Sequence, residues 1–198
     1  MTFFYTLFIS FLLVFFSELG DKTQLIVLSF STKLKASVIL LGVALGSLFS
    51  HGVAIVFGSF LGNIDNSYLH IIFEFISYLS FIILGIISFL PSKDSNSNNS
   101  LVDKLSNFKI NYVFIIALII AVGELGDKTF LASIGLGINY PNYKFSLVLG
   151  AVLGMIVSDL VAILLGKFLS EKIPEKTISK FSGILFIIFG ILGFISLL

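Results

Sequence analysis

The chain has 198 residues, 57% of them hydrophobic and only 12% charged, with a net charge of +1 and a mean hydropathy of +1.11. Soluble domains carry about a quarter charged residues, so the composition indicates an integral membrane protein, and the near-neutral balance gives no ground for a nucleic-acid partner. The absence of cysteine excludes disulfides, thiolate metal ligands and thiol redox chemistry.

The first apolar run, Phe3 to Phe16, has no basic segment before it and no small-x-small cleavage pattern after it. It reads as a membrane helix kept in the mature protein rather than as a signal peptide. A helix that crosses the bilayer needs roughly 20 mostly apolar residues. Six segments qualify: 3–30, 36–61, 68–90, 112–136, 145–169 and 177–198. Pro91, Pro141 and Pro174 all fall between them, as helix breakers should. Residues 91–111 are polar and rich in Ser and Asn, so they predict a linker without a core of its own. The expected organisation is a three-helix unit over 1–90, the linker 91–111, and a second three-helix unit over 112–198.

Lysine placement sets the expected orientation. Lys33, Lys35, Lys93, Lys104, Lys109, Lys167, Lys172, Lys176 and Lys180 follow segments one, three and five, whereas only Lys144 follows segments two and four. The positive-inside rule puts the linker in the cytoplasm and both termini outside.

Two polar stretches interrupt the hydrocarbon, "SELGDKTQ" at Ser17–Gln24 and "GELGDKTF" at Gly123–Phe130. Glu18, Gly20, Asp21, Lys22 and Thr23 match Glu124, Gly126, Asp127, Lys128 and Thr129 at a constant offset. Gly42, Gly46, Ser50, Ala54 and Gly58 likewise match Gly150, Gly154, Ser158, Ala162 and Gly166. "FIILGI" at 81–86 matches "FIIFGI" at 186–191. With three segments per repeat, the second copy enters the membrane in the opposite sense. The expected fold is therefore an all-α membrane protein of six spans in two inverted three-helix repeats, a build common among secondary transporters.

On a continuous helix, Glu18, Asp21 and Lys22 share one face about 100° wide, with Leu19 and Thr23 pointing elsewhere. Each charge costs at least ~2.5 kcal/mol at membrane depth, so neither set can face lipid. Bringing the two motifs together gathers four carboxylates and two ammoniums, a net charge that suits one dication. Oxygen ligands without thiolate favour Mg²⁺, Ca²⁺ or Mn²⁺. Gly20 and Gly126 permit local unwinding that would free backbone carbonyls, and Thr23 and Thr129 add hydroxyls. Protons compete with metal for the same oxygens, and Lys22 and Lys128 can serve as internal counter-ions. A buried ion pair that merely glues helices is the bland alternative, but glue needs no symmetric second copy.

The small-residue stripes of segments two and five predict close packing against segments one and four. Beside them His51 and Asp159 occupy equivalent positions, with Ser47, Ser50 and Ser158 near enough to line a polar or proton path. A buried Asp159 needs a partner, and a motif lysine is the expected one. Glu74 reads as interfacial or locally paired, and Asp65 and His70 as loop residues.

The twin "ELGDKT" at 18–23 and 124–129 resembles the GDT-type cation exchangers, defined by two E-x-G-D-[KR]-[TS] motifs in inverted three-helix repeats. The resemblance covers nearly the whole chain. It implies transport of Mn²⁺, Ca²⁺ or both against H⁺, and a metal site formed by Glu18, Asp21, Glu124 and Asp127. Lys22, Thr23, Lys128, Thr129, Ser50, His51, Ser158 and Asp159 are the supporting or proton-path candidates. The expected activity is export of the cation from the cytoplasm, not an enzymatic reaction, with no cofactor and with the metal as cargo. The expected setting is a bacterial membrane, inner or internal photosynthetic, with lipid as surroundings and the protein as monomer or homodimer. The rival readings are an exporter of small organic solutes and a non-transport assembly factor.

Overall fold

The computed structural model of the chain describes residues 2–19, 21–31, 34–64, 67–87, 89, 111–172 and 175–196. Among them are eight α-helices, a 3₁₀ turn and no strand. They are α1 (Thr2–Glu18), α2 (Lys22–Ser31), α3 (Ala36–Gly62), α4 (Ser67–Ile87), α5 (Tyr112–Glu124), α6 (Lys128–Asn139), the 3₁₀ turn (Pro141–Tyr143), α7 (Lys144–Lys172) and α8 (Glu175–Ser196).

The first and fourth apolar segments are not continuous helices. α1 stops at Glu18 and α2 starts at Lys22; α5 stops at Glu124 and α6 starts at Lys128. The interruption falls on the motif each time. Asp21 N–H donates to the Glu18 carbonyl at 3.1 Å, and Asp127 N–H to the Glu124 carbonyl at 3.1 Å, so a tight turn replaces the α-helical ladder. In the second motif Gly126 takes φ +80°, a left-handed conformation that glycine adopts without a Cβ clash. Gly20, its counterpart, lies outside the described residues, as do most of the linker (91–110) and Asp65. Asn111 caps α5, its side-chain oxygen accepting from Val113 N–H at 3.2 Å.

The long helices pack across the two halves of the chain. α1 lies along α7, and α3 lies along both α5 and α6. The glycine stripes set these distances: a Cβ at Gly46 would stand 2.6 Å from the Ala117 carbonyl oxygen, and one at Gly154 2.7 Å from that of Phe11. A Cβ at Gly58 would meet the Ile134 carbonyl. No side chain fits in these gaps, so backbone approaches backbone, which is how helices gain dispersion contact where lipid removes the hydrophobic drive. α4 and α8 cross in the same manner, with Gly85 against Ile187 and Gly190 against Ile82. The stripes therefore rest on the interrupted helices, as their spacing predicts, each on that of the other half.

The interior is built from Leu13, Val14, Ile39, Ile55, Ile116, Ile120, Leu136, Met155 and Phe186, among others. The outer surface is no less apolar: Phe4, Phe49, Phe60, Phe114, Leu164 and Ile195 are exposed. A surface of this kind is stable against hydrocarbon and not against water. Ala36–Gly62 and Pro141–Leu164 are each long and apolar enough to cross a membrane alone. Thr2–Glu18 and Tyr112–Glu124 are apolar but shorter, because the motif cuts their segments.

Candidate cation site

The two breaks lie side by side. A Cβ added at Gly123, just before the second, would stand 3.3 Å from the methyl group of Thr23, just past the first. Both motif glutamates are almost fully buried, at 1% exposure for Glu18 and 0% for Glu124. Each is held in the same way. Thr23 Oγ1 donates to Glu18 Oε2 at 3.4 Å, and Thr129 Oγ1 donates to Glu124 Oε2 at 3.0 Å. The other oxygen of each carboxylate, Oε1, is buried and has no hydrogen-bond partner.

Thr23 therefore does not point away from Glu18. The continuous-helix projection fails at the break: resuming at Lys22 turns the threonine inward, five residues along from the glutamate it holds. In both motifs the hydroxyl is committed to the carboxylate, so it orients the acid.

One carboxylate oxygen from each of Glu18, Glu124 and Asp127 lies within 4.8 Å of the others. Asp127 directly precedes α6 with an extended backbone (φ −76°, ψ 171°) and makes no side-chain capping bond to it. Asp21, half-buried, lies 3.6 Å (Oδ1) from Lys128 Nζ. Its ammonium partner thus comes from the opposite motif. The side chain of Lys22 lies outside the described residues. The Asp21 carbonyl accepts from Gln24 N–H at 3.1 Å and the Asp127 carbonyl from Leu131 N–H at 3.0 Å. Unwinding at the motif therefore leaves the carbonyls of both acids engaged.

Carboxylates are costly to bury without compensation, and two of these each keep one buried oxygen without a hydrogen-bond partner. Three hard, anionic oxygen donors at that spacing match what Mg²⁺, Mn²⁺ or Ca²⁺ require, and a proton can occupy the same oxygens.

The stripe helices carry a second polar layer. Ser50, His51, Ser158 and Asp159 are all buried, as is Ser47. His51 Nδ1 is 2.9 Å from Ser133 Oγ on α6, while its Nε2 has no partner. Lys128 is engaged with Asp21 and the side chain of Lys22 lies outside the described residues, so the lysine expected beside Asp159 is not seen there; its buried Oδ2 has no hydrogen-bond partner among the described residues. Two contributors have no place among the expected residues. Gln24 Nε2 donates to both the backbone oxygen and Oγ of Ser158, at 3.1 Å each, and so ties α2 to α7. Its signal in the sequence is an amide where the second motif has Phe130. Ser133 has none, since only the tertiary packing of α6 on α3 brings it to His51. Glu74 stands on α4, and His70 is on the same helix, its side chain outside the described residues.

An all-helical membrane protein with buried acids gathered at two helix breaks has the architecture of an ion transporter. The chain belongs to the family described as divalent cation/proton antiporter GDT1, which matches residues 6–96 and 112–197. A Vibrio cholerae protein named "Putative manganese exporter" is 27% identical over 186 residues, covering 92% of this chain and 87% of that one. The rice protein "GDT1-like protein 2, chloroplastic" is 24% identical, covering 93% of this chain and 59% of its own length. Rice "GDT1-like protein 5" is 40% identical over 74 residues, 37% of this chain and 31% of its own. No solved structure matches.

Proposed function

We propose that this protein exports Mn²⁺, Ca²⁺ or both from the cytoplasm in exchange for protons, through a site formed where the two motifs meet. The observation that carries the reading is the matched pair of buried glutamates. Each has one oxygen held by its own threonine and the other without a hydrogen-bond partner, and an oxygen of each lies within 4.8 Å of the other and of one from Asp127. A dication or protons satisfy those oxygens in turn, and sharing one set of oxygens is what makes movement of the two ions obligatorily coupled.

The fold we infer is six membrane-spanning segments in two inverted repeats. It is supported by the matched offsets of the motifs and stripes and by the reciprocal packing of α3 on α5 and α6 and of α7 on α1. At 1.5 Å per residue, α1 and α2 together reach roughly 40 Å, enough for a hydrocarbon core of about 30 Å with the break inside it. The lysine distribution supports both termini outside.

The test is uptake of Mn²⁺ and Ca²⁺ by liposomes holding the purified protein, driven by an imposed pH gradient. Uptake is expected from the parent and lost in Glu18→Gln and Asp127→Asn. Undiminished uptake by both variants would remove the site from the mechanism.

A further inference from the structure

The two motifs are identical from Glu to Thr, yet their aspartates have different surroundings. Asp127 brings an oxygen within 4.8 Å of an oxygen of each glutamate. Asp21 is not a member of that trio; its Oδ1 lies 3.6 Å from Lys128 Nζ. Lys128 is the first residue of α6 and directly follows Asp127 in the chain. An ammonium there, left without an anchor, would cancel part of the charge that the trio offers a dication.

We propose that Asp21 is not a ligand of the transported cation but the anchor of Lys128, so that among the motif acids Glu18, Glu124 and Asp127 alone hold the ion. This rests on the cation-site reading above. It divides two formally equivalent aspartates between two tasks. Asp127 faces the metal, and Asp21 holds the neighbouring ammonium and ties the break between α1 and α2 to the start of α6. Asp21 is in this sense a positioning residue: it acts on the site through Lys128. For Asp21 to bind the ion it would have to hold the dication and the Lys128 ammonium on one carboxylate, setting two like charges side by side.

Two charge-matched double variants separate the alternatives. Asp21→Asn with Lys128→Gln removes one negative and one positive charge. Asp127→Asn with Lys128→Gln removes the same two charges but takes the acid from the trio. Long-range electrostatics are equal in the pair, so any difference reports coordination. The readout is Mn²⁺ binding to the purified full-length protein in detergent, followed by electron paramagnetic resonance. The parent is expected to bind Mn²⁺. The Asp21 double variant should keep the dissociation constant within about threefold, and the Asp127 double variant should weaken it more than tenfold. Equal weakening in the two, or greater weakening in the Asp21 variant, would overturn the division while leaving the cation site standing. No Mn²⁺ binding by the parent would overturn the site and the division with it. If a double variant fails to fold, the single lengthenings decide. Asp127→Glu should change the line shape of bound Mn²⁺ and Asp21→Glu should not; a changed line shape in Asp21→Glu would make it a ligand.

Discussion

At the scale of single residues, the hydroxyls of Thr23 and Thr129 do the quietest part of the work. Each fixes a buried carboxylate by one oxygen, while the other has no hydrogen-bond partner. Thr129→Val keeps the shape and removes the donor. A hydrogen bond to a charged group contributes about 1.5–3 kcal/mol, which corresponds to a loss of roughly tenfold or more in cation affinity. Thr129→Ser should restore most of it, and Mn²⁺ titration of the two variants measures the difference. Gly126 has a different duty. Its φ of +80° with open space around the missing Cβ makes the cost of Gly126→Ala conformational rather than steric. A left-handed residue with a Cβ costs roughly 1–2 kcal/mol, so the variant should unfold at lower temperature even though nothing clashes.

At the scale of elements, the glycine stripes make a sharp contrast. A Cβ at Gly58 runs into the Ile134 carbonyl of α6, whereas one at Gly52 on the same helix meets nothing within 4 Å. Gly58→Ala should destabilise the protein by about 2 kcal/mol, in the range for overpacking. Gly52→Ala should be neutral or raise stability by up to about 1 kcal/mol, the helix-propensity difference. Thermal unfolding of the two variants in detergent checks this. The stripes are legible in the sequence because a four-residue period of small side chains has few uses other than close helix contact. The motifs are legible because charges inside hydrocarbon interrupt an otherwise unbroken apolar run. The breaks themselves are harder to read. Leu19, Thr23 and Leu25 continue a helical pattern without a proline to stop it, so Thr23 projects outward on paper and inward in the fold. The partner of His51 is not legible at all; for Lys128 a motif carboxylate is expected, but not which one. Ser133 and Asp21 reach them across the packing of separate helices, and no local spacing encodes that.

At the scale of the whole molecule, the proposed orientation has a clean test, since the chain contains no cysteine to label by accident. Asn142 and Lys35 are both exposed and sit at opposite ends of the proposed bundle. In intact cells a membrane-impermeant thiol reagent should modify Asn142→Cys and spare Lys35→Cys until the membrane is opened. The reverse pattern would invert the topology. The packing across halves has one more consequence. α3 and α7 each fill their glycine-lined groove with a helix from the opposite end of the chain. A gene cut between its halves would yield two fragments, each with an empty groove and an ill-matched surface in the bilayer. Neither fragment would outlast cellular quality control alone; made together, each would be the other's chaperone and its missing wall.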